Sequence, residues 1–501
     1  MEHLERAFSG LIRCKSETFT DLCRYVIDCH RQHQPVERTP LGIYIQETRR
    51  LEEILDAYGA KGNRRWAPFR QVIAAAKFAS DGLYKALHLK YALPFYRIKP
   101  VEGDCSGDTD CATAEFTAML AEISSSFLQI ATELAVPLPE ERPFVYCRDA
   151  ETPPFQLTRD VPTRSSPDPG RTIVNLATSF LNQVESSEII DTFENVQDLS
   201  VPECLPAVFN ERQLRRYENE FHTIQAAYDT ALAGTDVETQ DADLPFLRGH
   251  VTMIYHLLEI GTAVAHYYER HVQFCGEGEA PARFLPQGRA RFLLLKFSLG
   301  YTVRYLEIAQ DLCRELLGRY AEIDEITVPA PIYRGFHVRP SSLVAKIVRH
   351  YGTDVTISLG SEVCDASSAM DIIRLNERIY AEKRRRLAED VTRLAQAAEE
   401  TELMPVLLAL LEEHLIVLYS GDIQLKDFPR AASESLAEYA NRAVARLLAT
   451  GKIDIRSNIE VTLRGDIRVL EDVRVLADHG YGEDSFGNNV TLPPELSYLK
   501  R

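Results

Sequence analysis

Apolar residues recur at three- and four-residue steps through most of the first 325 positions, over 11–29, 66–89, 114–134, 171–194, 213–233, 250–274 and 290–320. That spacing gathers them on one face of a helix, so each stretch predicts an amphipathic helix. Two interruptions break the pattern. Positions 101–110 are rich in Gly, Asp and Cys, and 136–170 carry prolines among Asp, Thr and Ser. Proline removes a backbone donor and clashes with the preceding turn, so both predict loops. Residues 1–322 are therefore expected to form an all-helical domain of seven to nine helices, as one lobe or as two joined through 136–170.

The periodicity changes near position 323. Short β-prone runs occur at 325–328 and at 354–359 (DVTISL), with 362–364 placed to return as a hairpin partner. A further strand-like run, HLIVLYS, covers 414–420. Helical patterning lies between them at 341–351, 368–375, 376–412 and 431–448. The mixture predicts a separate α+β unit over 323–450, with 376–412 as a helical insertion. The remainder, 451–501, alternates weakly (IEVTLRGDIRVLEDVRVL) before a Gly/Asp/Pro-rich tail, and reads as an extension whose hairpin docks elsewhere.

A chain of 501 residues exceeds one ordinary core, which agrees with several domains. Its 45% hydrophobic and 26% charged content is that of a soluble globular protein. The formal charge of −18 argues against nucleic-acid binding, because a phosphate backbone calls for clustered cations. No run approaches the ~20 apolar residues that cross a bilayer. The N-terminus, MEHLERAFSGLIRCKSE, lacks the apolar core of a secretory signal. Ten cysteines form no CxxC pair, and the Cys23/Cys29 and Cys105/Cys111 spacings fit no common zinc site. Reduced thiols in a cytoplasmic protein are expected. His250, His256, His266 and His271 lie beside Glu259 and Glu269, but the Glu-x-x-His spacing of a di-iron bundle does not occur. P-loop, dinucleotide and nucleophile-elbow motifs do not occur either, so neither a cofactor nor a metal is expected.

Candidate chemistry concentrates in PIYRGFHVRPSSLVAKIVRHYG, positions 331–352. A glycine ends an extended segment, His337 follows two residues before Arg339–Pro340, and an amphipathic helix begins. Proline suits a first helical position, where its missing N–H has no partner anyway. His337 is thus placed at a helix N-terminus, among orphan N–H groups and the positive end of the helix dipole. That setting disfavours imidazolium, leaves the ring neutral and nucleophilic, and welcomes a phosphoryl dianion. Arg339 adds a charge-assisted contact to phosphate oxygens. A histidine at a helix start is equally able to be a surface or capping residue, and a second motif shifts the balance.

Ser368, thirty-one residues after His337, is the second residue of SSAMDIIRL. Together GFHVRPSS, the DVTISLGSEV hairpin and SSAMDIIRL resemble HPr, the histidine phosphocarrier of the sugar phosphotransferase system, in order, separation and intervening elements. The resemblance implies an open-faced β-sandwich of four antiparallel strands covered by three helices, with 431–448 as the closing helix. It implies that His337 accepts and passes on a phosphoryl group, with Arg339 as its phosphate partner. It also implies an enzyme I-type phosphohistidine donor and an acceptor or regulated protein still unidentified. Ser368 matches the serine that a dedicated kinase phosphorylates, and a phosphorylase dephosphorylates, in many bacteria. Capping the helix that Ser368 opens, with Asp371 three residues on, is its alternative role. The partner-docking face implied by the family falls on Val338, Ser341, Lys346, Arg349, Ala369 and Met370. A merely solvated face is the other reading of Lys346 and Arg349.

The chain departs from the family at Ser367, where a basic residue is usual, at the acid Asp371, and in an insertion of about thirty residues. The insertion, with KRRR at 383–386, either lengthens the second helix or covers the docking face. The resemblance spans roughly 90 of 501 residues. Two leading functions follow. One is a phosphocarrier or regulator that couples phosphotransferase status to what the helical domain binds, a carrier more than a stand-alone catalyst. The other is an interaction scaffold that keeps the fold without transferring phosphate. A third option makes the helical region an enzyme and the HPr-like part its switch.

Overall fold

Where leucine, phenylalanine and tyrosine repeat on one face, the first part of the chain coils into long helices. These include Glu17–Arg31, Arg38–Ala57, Ala67–Ala92, Cys105–Glu133, Pro169–Ser187, Glu211–Ala231 and Asp243–Tyr267. The computed structural model describes residues 2–146, 168–275, 280–332, 334–398, 402–419, 429–431, 433–456, 458–484 and 487–500. The chain divides into two compact units, Met1–Cys313 and Arg314–Arg501. Among the described residues no helix is long and apolar enough to cross a membrane.

The first unit is helical, and its core is rich in aromatics, with Phe19, Phe69, Phe116, Phe127, Phe180 and Tyr44 fully buried. Helices Ala67–Ala92 and Cys105–Glu133 approach closely at Gly82, where an added Cβ would lie 2.3 Å from the Phe116 ring. Several boundaries differ from the periodicity. Arg38–Ala57 is helical although its pattern was not predicted so. The expected loop at 101–110 ends early, because Asp104 caps a helix through the Gly107 amide (2.9 Å) and winding begins at Cys105. Within 290–320, Phe292–Leu299 winds as a π-helix before Gly300–Tyr320 continues as α. Of the predicted linker 136–170, positions 147–167 lie outside the described residues.

In the second unit, strand β1 (Ile323–Pro329) pairs antiparallel with β6 (Glu460–Asp466), β6 with β2 (Thr356–Leu359), and β2 with β3 (Glu362–Asp365). The sheet order is β1-β6-β2-β3. Ile326 and Val328 of β1, Ile357 of β2, and Val461 and Leu463 of β6 turn to one face. There they meet α1 (Val338–Tyr351), the first part of α2 (Ala369–Ala397) and α5 (Ile467–Asp478) in one core. Alternate residues such as Thr327 and Arg464 stay exposed, as the two-residue strand period requires. Four antiparallel strands with helices on one face is the coarse arrangement expected, and β1, β2 and β3 are three of the expected strands; the fourth is different.

The run at 414–420 supplies only β4 (Ile416–Leu418), which pairs with β5 (Ile453–Ile455) in a separate two-stranded sheet. The fourth strand of the main sheet is β6, and its closing helix is α5, both inside the stretch that read as an extension. The helix α4 (Leu436–Ala449), expected to close the sandwich, belongs to a second core with α3 (Leu403–Glu412) and the far half of α2. The insertion is therefore longer than its charged segment suggested. It lengthens α2 and folds into a module of its own.

Candidate functional site

His337 is the N-cap of α1, with extended backbone (φ −75, ψ −172). The helix begins at Val338, so Pro340 sits third rather than first, still among the positions whose N–H has no intrahelical acceptor. Two consecutive left-handed residues, Arg334 (φ +49) and Gly335 (φ +57), turn the chain into this cap. Asn376 of α2 clamps that turn: its Oδ1 accepts from the Phe336 amide (2.9 Å) and its Nδ2 donates to the Arg334 carbonyl (3.1 Å). The clamp leaves no room for a side chain at Gly335, whose Cβ would lie 2.1 Å from Asn376 Oδ1. From below, Phe336 is fully buried and meets the Tyr481 ring edge-on at 5.3 Å.

The imidazole side chain is 28% exposed, and Nε2 lies 2.8 Å from Oε2 of the buried Glu483. Facing an ionised carboxylate, which only accepts, Nε2 carries the hydrogen; the neutral tautomer then has its lone pair on Nδ1. Arg339 lies on the same side, with Nε 3.8 Å from Glu483 Oε1 and Nη2 donating to the Gly482 carbonyl (3.2 Å). Its Nη1 donates to the Asn489 side chain. Gly482, Glu483 and Asn489 belong to a turn after α5, tied by the Val490 amide donating to Gly482 (2.9 Å) and by a bridge between Glu483 and Asn489. Gly482 needs its positive φ of +74 for this turn, with Leu492, Leu343 and Arg339 close around it.

Ser368 caps α2, its hydroxyl accepting from the Asp371 amide (3.3 Å). The Asp371 carboxylate instead pairs with Arg374 (2.9 Å), so the reciprocal half of a capping box is not made. Helices α1 and α2 pack together, and Arg349 Nε donates to the Ser367 carbonyl (3.0 Å). Val338 and Met370, at the two helix starts, are 70% and 61% exposed. Lys346 and Arg349 are exposed and Ala369 is half-buried. Ser341, expected on this face, is fully buried, and its hydroxyl donates to the Phe336 carbonyl (2.8 Å). It supports the histidine loop and offers no contact to a partner.

Glu483 and Asn376 are the site residues that reading the sequence missed. Glu483 lies 146 residues from His337, and its one signal was the Gly/Asp-rich composition of the tail. In the first unit, His250 is fully buried, its Nε2 accepting from the Lys99 amide (3.1 Å), and burial holds the imidazole down to about 4. His256 pairs with Glu259 (2.8 Å) and His266 with Glu211 (3.0 Å), while His266, His271 and Glu259 line one pocket. Among the described residues no three His, Cys, Asp or Glu side chains group as metal ligands. No family model, no curated protein and no solved structure matches this chain.

Proposed function

We propose that residues from β1 through the turn after α5 form an HPr-like phosphocarrier whose reacting atom is Nδ1 of His337. The observation that carries this reading is a partly exposed imidazole at the start of α1 with its other nitrogen held 2.8 Å from the Glu483 carboxylate. The Nδ1 lone pair attacks the phosphorus of an enzyme I-type phosphohistidine. The donor's N–P bond breaks with its electron pair returning to the donor imidazole, and an Nδ1–P bond forms. Positive charge developing on the ring falls beside Glu483, and the phosphoryl oxygens meet the first-turn N–H groups of α1. Passage to the acceptor reverses the same exchange. The exposed Val338 and Met370 support a docking face of the kind the resemblance implies. In this reading the phosphorylation state reports phosphotransferase status to the helical first unit.

A second reading is favoured by Arg339. Its guanidinium is held by Gly482 and Asn489, as befits a scaffold that keeps the fold without transferring phosphate. Incubation with phosphoenolpyruvate and enzyme I separates the two. A carrier takes up acid-labile label that Ser368→Ala keeps and His337→Ala loses. Label from ATP and a serine kinase, lost in Ser368→Ala, assigns a regulatory role to that cap. No histidine label in the full chain defeats the carrier reading and leaves the scaffold.

A further inference from the structure

The insertion and the back of the histidine loop line an open cavity of about 790 Å³ between the middle of α2, α4 and β5. That is the size of a site for a small organic ligand. One wall is apolar, formed by Leu387, Val444, Leu448 and Ile453. The floor is polar and centred on Asp454, which is 7% exposed. Its carboxylate already accepts from the Arg334 amide (3.1 Å), Tyr380 hydroxyl (3.2 Å), Tyr419 hydroxyl (3.3 Å) and Ile455 amide (2.8 Å). Four donors fill a carboxylate, so Asp454 organises the floor and does not itself grip an occupant. The two tyrosine hydroxyls direct their hydrogens at Asp454, which turns their oxygens into acceptors for an occupant's N–H or O–H.

Three charges stand at the rim. Glu377 and the exposed Arg334 lie toward the histidine loop, and Arg384, its guanidinium 6.0 Å from the Tyr380 ring, lies two turns beyond Glu377 on α2. Behind them Lys383 is 1% exposed, with Nζ donating to the Pro331 carbonyl (3.4 Å). Burial lowers its ammonium, while Asp454 acts in the opposite sense. The cationic end of the rim thus adjoins the apolar wall, and donors are wanted at the floor.

We infer that this cavity binds a small amphipathic organic anion: an apolar or flat body on the α4 wall, an N–H or O–H toward Tyr380 and Tyr419, and the anionic group at Arg384. Its floor is also the anchor of the histidine loop, because Asp454 holds the Arg334 amide and Asn376 holds Phe336. An occupant therefore restrains the segment that presents His337. The binding site stands whether or not His337 carries phosphate.

Anilinonaphthalene sulfonate has the required flat body, N–H and anion, and serves as the probe on the full, unphosphorylated chain. Ala388→Trp and Ala445→Trp fill the cavity from exposed positions on opposite walls, where the core is untouched. Each is expected to weaken the tightest class of probe binding at least tenfold. Arg384→Glu is expected to weaken it by a similar factor and to lower its salt dependence. Saturating probe is expected to slow hydrogen exchange at the Arg334 and Phe336 amides. Equal affinity in wild type and both Trp variants, or protection confined to residues 1–313, overturns the inference.

Discussion

The Glu483 carboxylate lies beside Nε2 of His337, and its charge decides which ring nitrogen keeps the hydrogen. Replacing Glu483 by glutamine preserves shape and a hydrogen-bonding tip but removes the charge that steadies a phosphoimidazolium. A charge-assisted hydrogen bond contributes about 1.5–3 kcal/mol. Phosphoryl uptake by Glu483→Gln is therefore expected to slow on the order of tenfold to a hundredfold. Initial rates at saturating donor test this, with a thermal melt confirming that the tail turn persists. An unchanged rate would reduce Glu483 to a structural contact. The position of His337 and Arg339 beside a helix start was readable from the glycine, the proline and the amphipathic run that follow one another in the chain. Glu483 was not, since nothing local marks a residue whose role arises only when the end of the chain folds back.

At the level of elements, the same contrast between local and distant information recurs. The β2–β3 hairpin was legible because both strands and the Gly360 turn (φ +60) lie within ten consecutive residues. The Ser368 cap was legible for the same reason. The fourth strand was misplaced because a strand is assigned to a sheet by its partners and not by its own residues. HLIVLYS has the stronger β pattern, yet β6 is the strand whose Val461 and Leu463 complete the core between β1 and β2. Gly465 fixes that position further: a Cβ there would lie 2.6 Å from Val355. A chain terminated after Thr450, where the α+β unit was expected to end, consequently lacks a central strand and α5. We expect such a chain to lose the sheet, with β1 and β2 cleaved rapidly in limited proteolysis. Protease-resistant β1 and β2 in that truncation would show that β4 can take the place of β6.

Across the second unit, two apolar cores share one helix. Ile372, Leu375 and Ile379 of α2 enter the core under the main sheet, whereas Leu387, Val391 and Ala395 enter that of the insertion. The boundary between them is the turn of α2 that carries Tyr380 and Lys383, the part that faces Asp454. Separate cores joined by a rigid rod open separately unless the rod transmits the strain. Leu410 of α3 is fully buried in the insertion core. Leu410→Ala should cost about 2–5 kcal/mol there, from lost burial and the cavity left behind. In native-state hydrogen exchange the loss is expected across α3, α4 and the β4–β5 pair, while amides of β1, β6 and β2 keep their protection. The Arg334 amide, which donates to Asp454 between the two cores, is the informative one. If it loses protection with the insertion while the sheet does not, the module controls how firmly His337 is presented. Uniform loss throughout the unit would make the two cores a single cooperative body and remove that control.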